Sequence, residues 1–243
     1  VTLSMDYGCY DYAAYCMNTY LAGKSLSDVT YGEMVHYQNV LNSYYDTLDE
    51  LQALSDRLGE ETDQELLAVI IREKLDELNR DPKMWKPLIW YYKAQFSEDP
   101  QEYKACLQNC LEENPMDFTA MADLGTRLRR DGDLEGAKAY YEQVLRYEKK
   151  HALACRGMAI LKLLDGETQE ALTWAQTAFE SSPDATYVRD TYLIALSENG
   201  RMEEARQIKQ EMQEVGTPAE EDTEALLNGE ITLREYYIEE ETP

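Results

Sequence analysis

The sequence predicts an all-α array of stacked helix pairs, and three observations carry that expectation. Ala, Leu, Glu, Gln, Met and Arg recur in long stretches, with only 12 Gly and 7 Pro in 243 residues, which favours helix over sheet. Apolar residues return every three or four positions, as in Met121, Leu124 and Leu128 and then Tyr140, Tyr141, Val144 and Leu145, the spacing of one helix face. A 34-residue period runs through the second half of the chain, and a period of that size specifies architecture more tightly than local propensity does.

The period is carried by three separate features. Leu124-Gly125 is followed by Met158-Ala159 and Tyr192-Leu193, Gly132 by Gly166 and Gly200, and Ala137 by Ala171 and Ala205. The glycines fall where a first helix would end and need a left-handed backbone that glycine adopts cheaply. The alanines fall early in a second helix, where a small side chain lets the paired helices approach. One such pair buries only one side, so neighbouring pairs must stack.

This pattern resembles the tetratricopeptide-repeat family. The resemblance is clear over 118–217, with Leu193, Arg189, Lys149 and Thr217 departing from the family pattern and Pro183 keeping it. It implies a right-handed helical solenoid whose first helices line a groove for a peptide or protein. Residues 84–117 resemble a degenerate further unit: Trp85, Leu88, Trp90, Tyr91 and Phe96 make an aromatic first helix, Asp99-Pro100-Gln101-Glu102 reads as a capping box, and Pro115 closes the unit. Tyr103 stands where the family has a small residue.

Outside the repeats, residues 1–83 read as an N-terminal helical region. A Tyr-rich helix (Met5, Cys9, Tyr12, Cys16, Tyr20) comes first, and an antiparallel hairpin follows, its helices headed by capping boxes at Thr30 to Glu33 and Thr62 to Glu65 with a turn at Gly59. Residues 218–243 read as an acidic capping helix and tail. Thr217-Pro218-Ala219-Glu220 reads as another capping box that would open a helix stopped by Gly229, and a last turn would run from Leu233 to Ile238. Such a segment either caps the array or folds back into the groove and inhibits it.

Charge narrows the function classes. A formal net charge of -25 argues against nucleic acid as a partner, because phosphate binding needs a positive face. The most apolar run, Trp85 to Tyr92, is broken by Lys86 and Pro87 and falls far short of the roughly 20 residues of a membrane span. The chain starts at Val1 without a signal-peptide apolar region, which is compatible with a leader or anchor removed from something longer. A cytoplasmic location is expected, with an extracytoplasmic or membrane-tethered region as the alternative.

No catalytic machinery is visible. His36 and His151 lie in different segments without a nucleophile at motif spacing, and no phosphate loop, HExxH or paired CxxC occurs. Five cysteines cannot all pair within one chain and read as buried small hydrophobes; neither metal nor cofactor is expected. The expectation is therefore a non-enzymatic binding scaffold. The alternative is an accessory domain of a larger membrane-linked or multidomain protein that sets geometry or oligomerisation.

The resemblance also places the groove. Carried over position by position, its lining includes Trp85, Tyr92 and Phe96 in the degenerate unit, Arg129 and Arg130 in the next, then Arg156 and Ile160, then Tyr187 and Asp190. The carboxylate clamp of chaperone-binding relatives is missing, since Ala122 and Thr126 stand at its first two positions. Yet Arg127, Arg129, Arg130, Arg146, Lys149, Lys150 and Arg156 cluster within an otherwise acidic chain. They either pair with an acidic ligand segment or neutralise the chain's own acids.

Overall fold

The computed structural model describes residues 28–58 and 64–238, and every regular element among the described residues is a helix. The Tyr-rich segment, the turn at Gly59 and the capping residues Thr62 and Asp63 lie outside the described residues. Twelve helices follow one another among those described: α1 (Asp28–Leu58), α2 (Gln64–Arg80), α3 (Lys86–Gln95), α4 (Pro100–Glu113), α5 (Phe118–Arg130), α6 (Leu134–Tyr147), α7 (Ala152–Leu164), α8 (Thr168–Ser181), α9 (Thr186–Glu198), α10 (Met202–Glu214), α11 (Glu221–Leu227) and α12 (Leu233–Tyr237). They fall into two compact units, residues 1–120 and 121–243.

In the first unit α1, α2 and α3 pack around Leu51, Leu54, Ile71, Leu75, Leu78 and Ile89, and α3 pairs with α4. Polar groups fix the junctions. Thr47 Oγ1 accepts from Trp85 N at 2.7 Å and donates to Ser43 O at 2.7 Å. Lys86 Nζ donates to the carbonyls of Leu78 (3.2 Å), Asn79 (2.6 Å) and Asp81, closing the C-terminus of α2, where a cation also suits the helix dipole. Two of the expected capping boxes take another form. Thr30 lies inside α1 rather than ahead of it. At α4, Asp99 caps by accepting from Gln101 N at 2.9 Å, while the Glu102 carboxylate takes the Ser97 hydroxyl.

In the second unit the 34-residue register becomes three helix pairs, α5 with α6, α7 with α8 and α9 with α10. First helix α7 touches α6, its own partner α8 and the next first helix α9, and α9 repeats the pattern with α8 and α10. Each first helix ends the same way. Gly132, Gly166 and Gly200 have φ of 85°, 77° and 69°, and the next residue's N–H reaches back five residues, as from Asp133 N to Leu128 O at 2.9 Å, the Schellman arrangement that satisfies orphan carbonyls.

The close approach inside a pair is held by small residues. Ala137, Ala171 and Ala205 are buried, and a Cβ on Gly125 would sit 3.3 Å from the Ala137 carbonyl oxygen and 2.8 Å from Tyr141 Cε1. Between pairs, Phe179 of α8 stacks on Tyr192 of α9 with centroids 4.9 Å apart. Replacing Ala171 with Leu is expected to destabilise this unit by about 1–3 kcal/mol through overpacking; a denaturant midpoint equal to wild type would show room where the structure has none.

Candidate functional site: the first-helix face of the second unit

The expected groove residues fall in both units. In the first, Tyr92 and Phe96 flank a cleft of about 400 Å³ together with Leu48, Leu51, Gln52 and Leu54 of α1. Phe96 is 46% exposed, whereas Tyr92 packs against the unit's core. Trp85 does not join them. It lies on a separate cleft with His36, Val40 and Pro82, because α1 crosses the face of α3 that the repeat pattern leaves open.

In the second unit the first helices α5, α7 and α9 bring the remaining residues together around Arg129. Arg129 is 2% exposed, so it is a buried cation and not the surface contact that the repeat register suggests. Its Nη1 donates to the Tyr237 carbonyl, and its guanidinium lies over the Tyr237 ring, 5.4 Å from the centroid. Burial, followed by the charges of Arg156 and Arg130, disfavours its protonated form, with Tyr141 and Tyr237 opposing. Ile160 is likewise fully buried, within the core that runs from α7 to Tyr237. Arg130 is exposed.

Arg156 is half-buried and spans α7 to α9. Its Nε donates to Tyr187 O and to Thr191 Oγ1, each at 3.0 Å, and its guanidinium covers the Tyr187 ring at 5.3 Å. Tyr187 keeps 45% of its surface exposed. Arg127 forms an ion pair with Asp131 at 2.6 Å; the cationic cluster therefore partly neutralises the chain's own acids, as one reading of the sequence expects.

Asp190 is 5% exposed, and its Oδ1 has no hydrogen-bond partner. Burial pushes its pKa up to about 6, helped by Glu220 and Glu224 and opposed by Arg156. A folded-state carboxylate pKa above the ordinary value of about 4 costs stability at neutral pH and returns it as pH falls from above 6 toward 4. Asp190→Asn is therefore expected to raise stability at pH 7 by about 1–3 kcal/mol, with the gain fading toward pH 4. Urea titrations of both proteins across that range check the sign, and a gain independent of pH would contradict the assignment.

The partner of this face within the chain is the segment after α10. It does not begin at the expected box: α11 starts at Glu221 with Glu220 as its N-cap, and the Thr217 hydroxyl instead accepts from Arg189 at 3.1 Å. Thr232 and Glu235 form a true capping box at the head of α12. α11 packs on α9 and α12 on α7, which places Tyr237 (3% exposed) and Ile238 in the interior. Tyr237 and Thr191 are the site residues that sequence reasoning missed. For Tyr237 the helical run from Leu233 to Ile238 and a return of the segment to the groove are among the expectations from the sequence, but nothing local names Arg129 as the residue it meets.

His151 caps α7, accepting from Ala154 N at 3.4 Å through Nδ1, and burial lowers its pKa. Cys106, Cys110 and Cys155 are buried free thiols; Cys9 and Cys16 lie outside the described residues. Among the described residues no group of three His, Cys, Asp or Glu side chains is placed to hold a metal ion. No described helix is long and apolar enough to cross a membrane.

A tetratricopeptide-repeat family model matches residues 128–191, a stretch that holds two of the glycine-closed turns and the Arg156–Thr191 link. That stretch carries tetratricopeptide repeats. None of the curated proteins matches it. Tetratricopeptide repeats generally mediate protein–protein interaction, and stacked repeats create extended concave binding surfaces.

Proposed function

We propose that the chain is a non-enzymatic scaffold whose tetratricopeptide second unit binds a protein or peptide segment on the face formed by α5, α7 and α9. The observation that carries this reading is the seat at Arg129, which takes the ring and the backbone carbonyl of one aromatic residue, Tyr237. Extended or helical peptides use the same two kinds of contact, backbone polar groups for affinity and side-chain pockets for specificity. At the rim, Arg130 and Tyr187 are exposed and supply a charged and an aromatic contact. Tyr and Arg are the residue types most enriched where binding energy concentrates.

The test is capture of cross-linked partners by the full chain, compared with Arg130→Glu and Tyr187→Ala. Both substitutions are at exposed positions and are expected to leave the melting temperature within about a degree or two, as surface changes usually do. Recovery of partners should fall several-fold, with the effect of Arg130→Glu weakening as salt is raised. Equal recovery from all three proteins would remove this face from the function.

A further inference from the structure

The first-helix face of the second unit is filled by the chain itself. Among the described residues, α11 and α12 make their main contacts with the two first helices α9 and α7, the same helices that carry the proposed binding face. We infer that residues 221–238 are a displaceable intramolecular ligand of that face, and that the external partner presents similar chemistry: two adjacent aromatic residues followed by an aliphatic one. The inference rests on the proposed binding role of the face and adds to it both the kind of partner and the step that admits it.

Three features distinguish this seat from a permanent piece of core. The first is incomplete pairing. Arg129 Nε, Asp190 Oδ1 and the hydroxyl of Tyr237 are buried without a hydrogen-bond partner within the chain, whereas buried polar groups in a settled interior are nearly always paired. Arg129 holds the segment by one donor to a carbonyl and by the ring face, and Asp190 receives nothing from it. A partner carrying an acceptor opposite Arg129 Nε and a donor opposite Asp190 would satisfy both groups.

The second feature is charge. Asp190 faces Glu220 and Glu224 at the start of the segment, with Arg156 of α7 as the opposing cation and Tyr236 of α12 also beside it. Like charges at the entrance oppose closure. The main ionic tie to the preceding helix is Lys209 with Glu224 at 2.6 Å, and both side chains are about one-third exposed, where screening leaves an ion pair weak.

The third is the attachment. α10 ends at Glu214 and α11 begins at Glu221. Val215 is exposed, Gly216 closes α10 with a φ of 77° as the repeat glycines close the first helices, and Arg189 holds the Thr217 hydroxyl at 3.1 Å, so the join is fixed at its start and the segment would swing from beyond Thr217. Within the segment, Tyr236 and Thr223 hydroxyls are 2.7 Å apart, which ties α11 to α12 so that they leave as one piece.

The test uses a labelled synthetic peptide with the sequence of residues 229–240, added to the full-length chain and to its Tyr236→Ala/Tyr237→Ala double variant. An intramolecular competitor lowers apparent affinity by the fraction of time it occupies the seat, so the double variant is expected to bind the peptide at least tenfold more tightly than wild type. Equal or weaker binding by the variant overturns the inference while leaving the face a peptide binder. No binding by either protein overturns the inference and counts against the proposed binding face as well. Should the variant lose its helical signal, hydrogen exchange on the wild-type chain decides. Amides of residues 233–238 exchanging at least tenfold faster than the buried amides of α7 and α9 support a segment that opens by itself, and equal rates make it core.

Discussion

Tyr141→Ala is expected to cost the second unit about 3–5 kcal/mol, the range for deleting a fully buried aromatic ring. Tyr141 has no exposed surface, and it sits where two helix pairs meet. A Cβ added to Gly125 of its own pair would come within 2.8 Å of the ring, and one added to Gly157 of the next pair within 2.3 Å. The ring therefore fills a slot made of two glycines, and its hydroxyl donates to Thr126 Oγ1 at 3.2 Å. Removing the ring opens a cavity that helix backbones on both sides are too stiff to close. Tyr141→Phe leaves the slot filled and should cost only about 1 kcal/mol, the net value of one hydrogen bond. Denaturant unfolding of the two variants checks the ratio; a Tyr141→Ala loss no larger than that of Tyr141→Phe would mean that the ring does not bridge the pairs.

Gly157→Val approaches the same slot from the other side and is expected to cost about 3 kcal/mol, the upper end of overpacking penalties. Gly157 lies inside α7, where replacing glycine with alanine ordinarily gains about 0.5–1 kcal/mol of helix stability and with valine somewhat less. Here the new Cβ would meet Tyr141 Cζ, Cε2 and Cε1 at 2.3, 2.4 and 2.6 Å, so packing reverses the sign set by propensity. In a Tyr141→Ala background the clash is gone, and Gly157→Val should be neutral or stabilising. A double-mutant cycle that returns less than about 1 kcal/mol of coupling, near the lower end of the range for residues in contact, contradicts the slot.

How much of this was legible in the sequence depends on how local its cause is. The helical class and the 34-residue register could be read because backbone and close packing set them within each pair: Gly132, Gly166 and Gly200 adopt the left-handed turns, and Ala137, Ala171 and Ala205 are buried. The slot was half legible. Gly125 belongs to the repeating Leu-Gly position, but Gly157 has no repeat counterpart, since Thr191 stands 34 residues after it.

The site was less legible because its surfaces are settled by segments far away in the chain. Arg129 occupies a position that lines the groove in the repeat register, yet it is buried by Tyr237, 108 residues later. Tyr92 and Phe96 are separated from Trp85 because α1 lies across α3, and no periodicity within α3 records that contact. The box expected at Thr217 failed for a similar reason: Arg189 takes its hydroxyl, and the helix starts later.

The first-helix face of the second unit is a seat for an aromatic segment, filled in this chain by Tyr237. Nuclear Overhauser contacts in the full-length chain, with Tyr237 selectively labelled, test it most directly. Cross-peaks are expected between the Tyr237 ring and the Arg129 side chain, whose guanidinium carbon lies 5.4 Å from the ring centroid. A Tyr237 ring with random-coil shifts and no contact to Arg129 would contradict it.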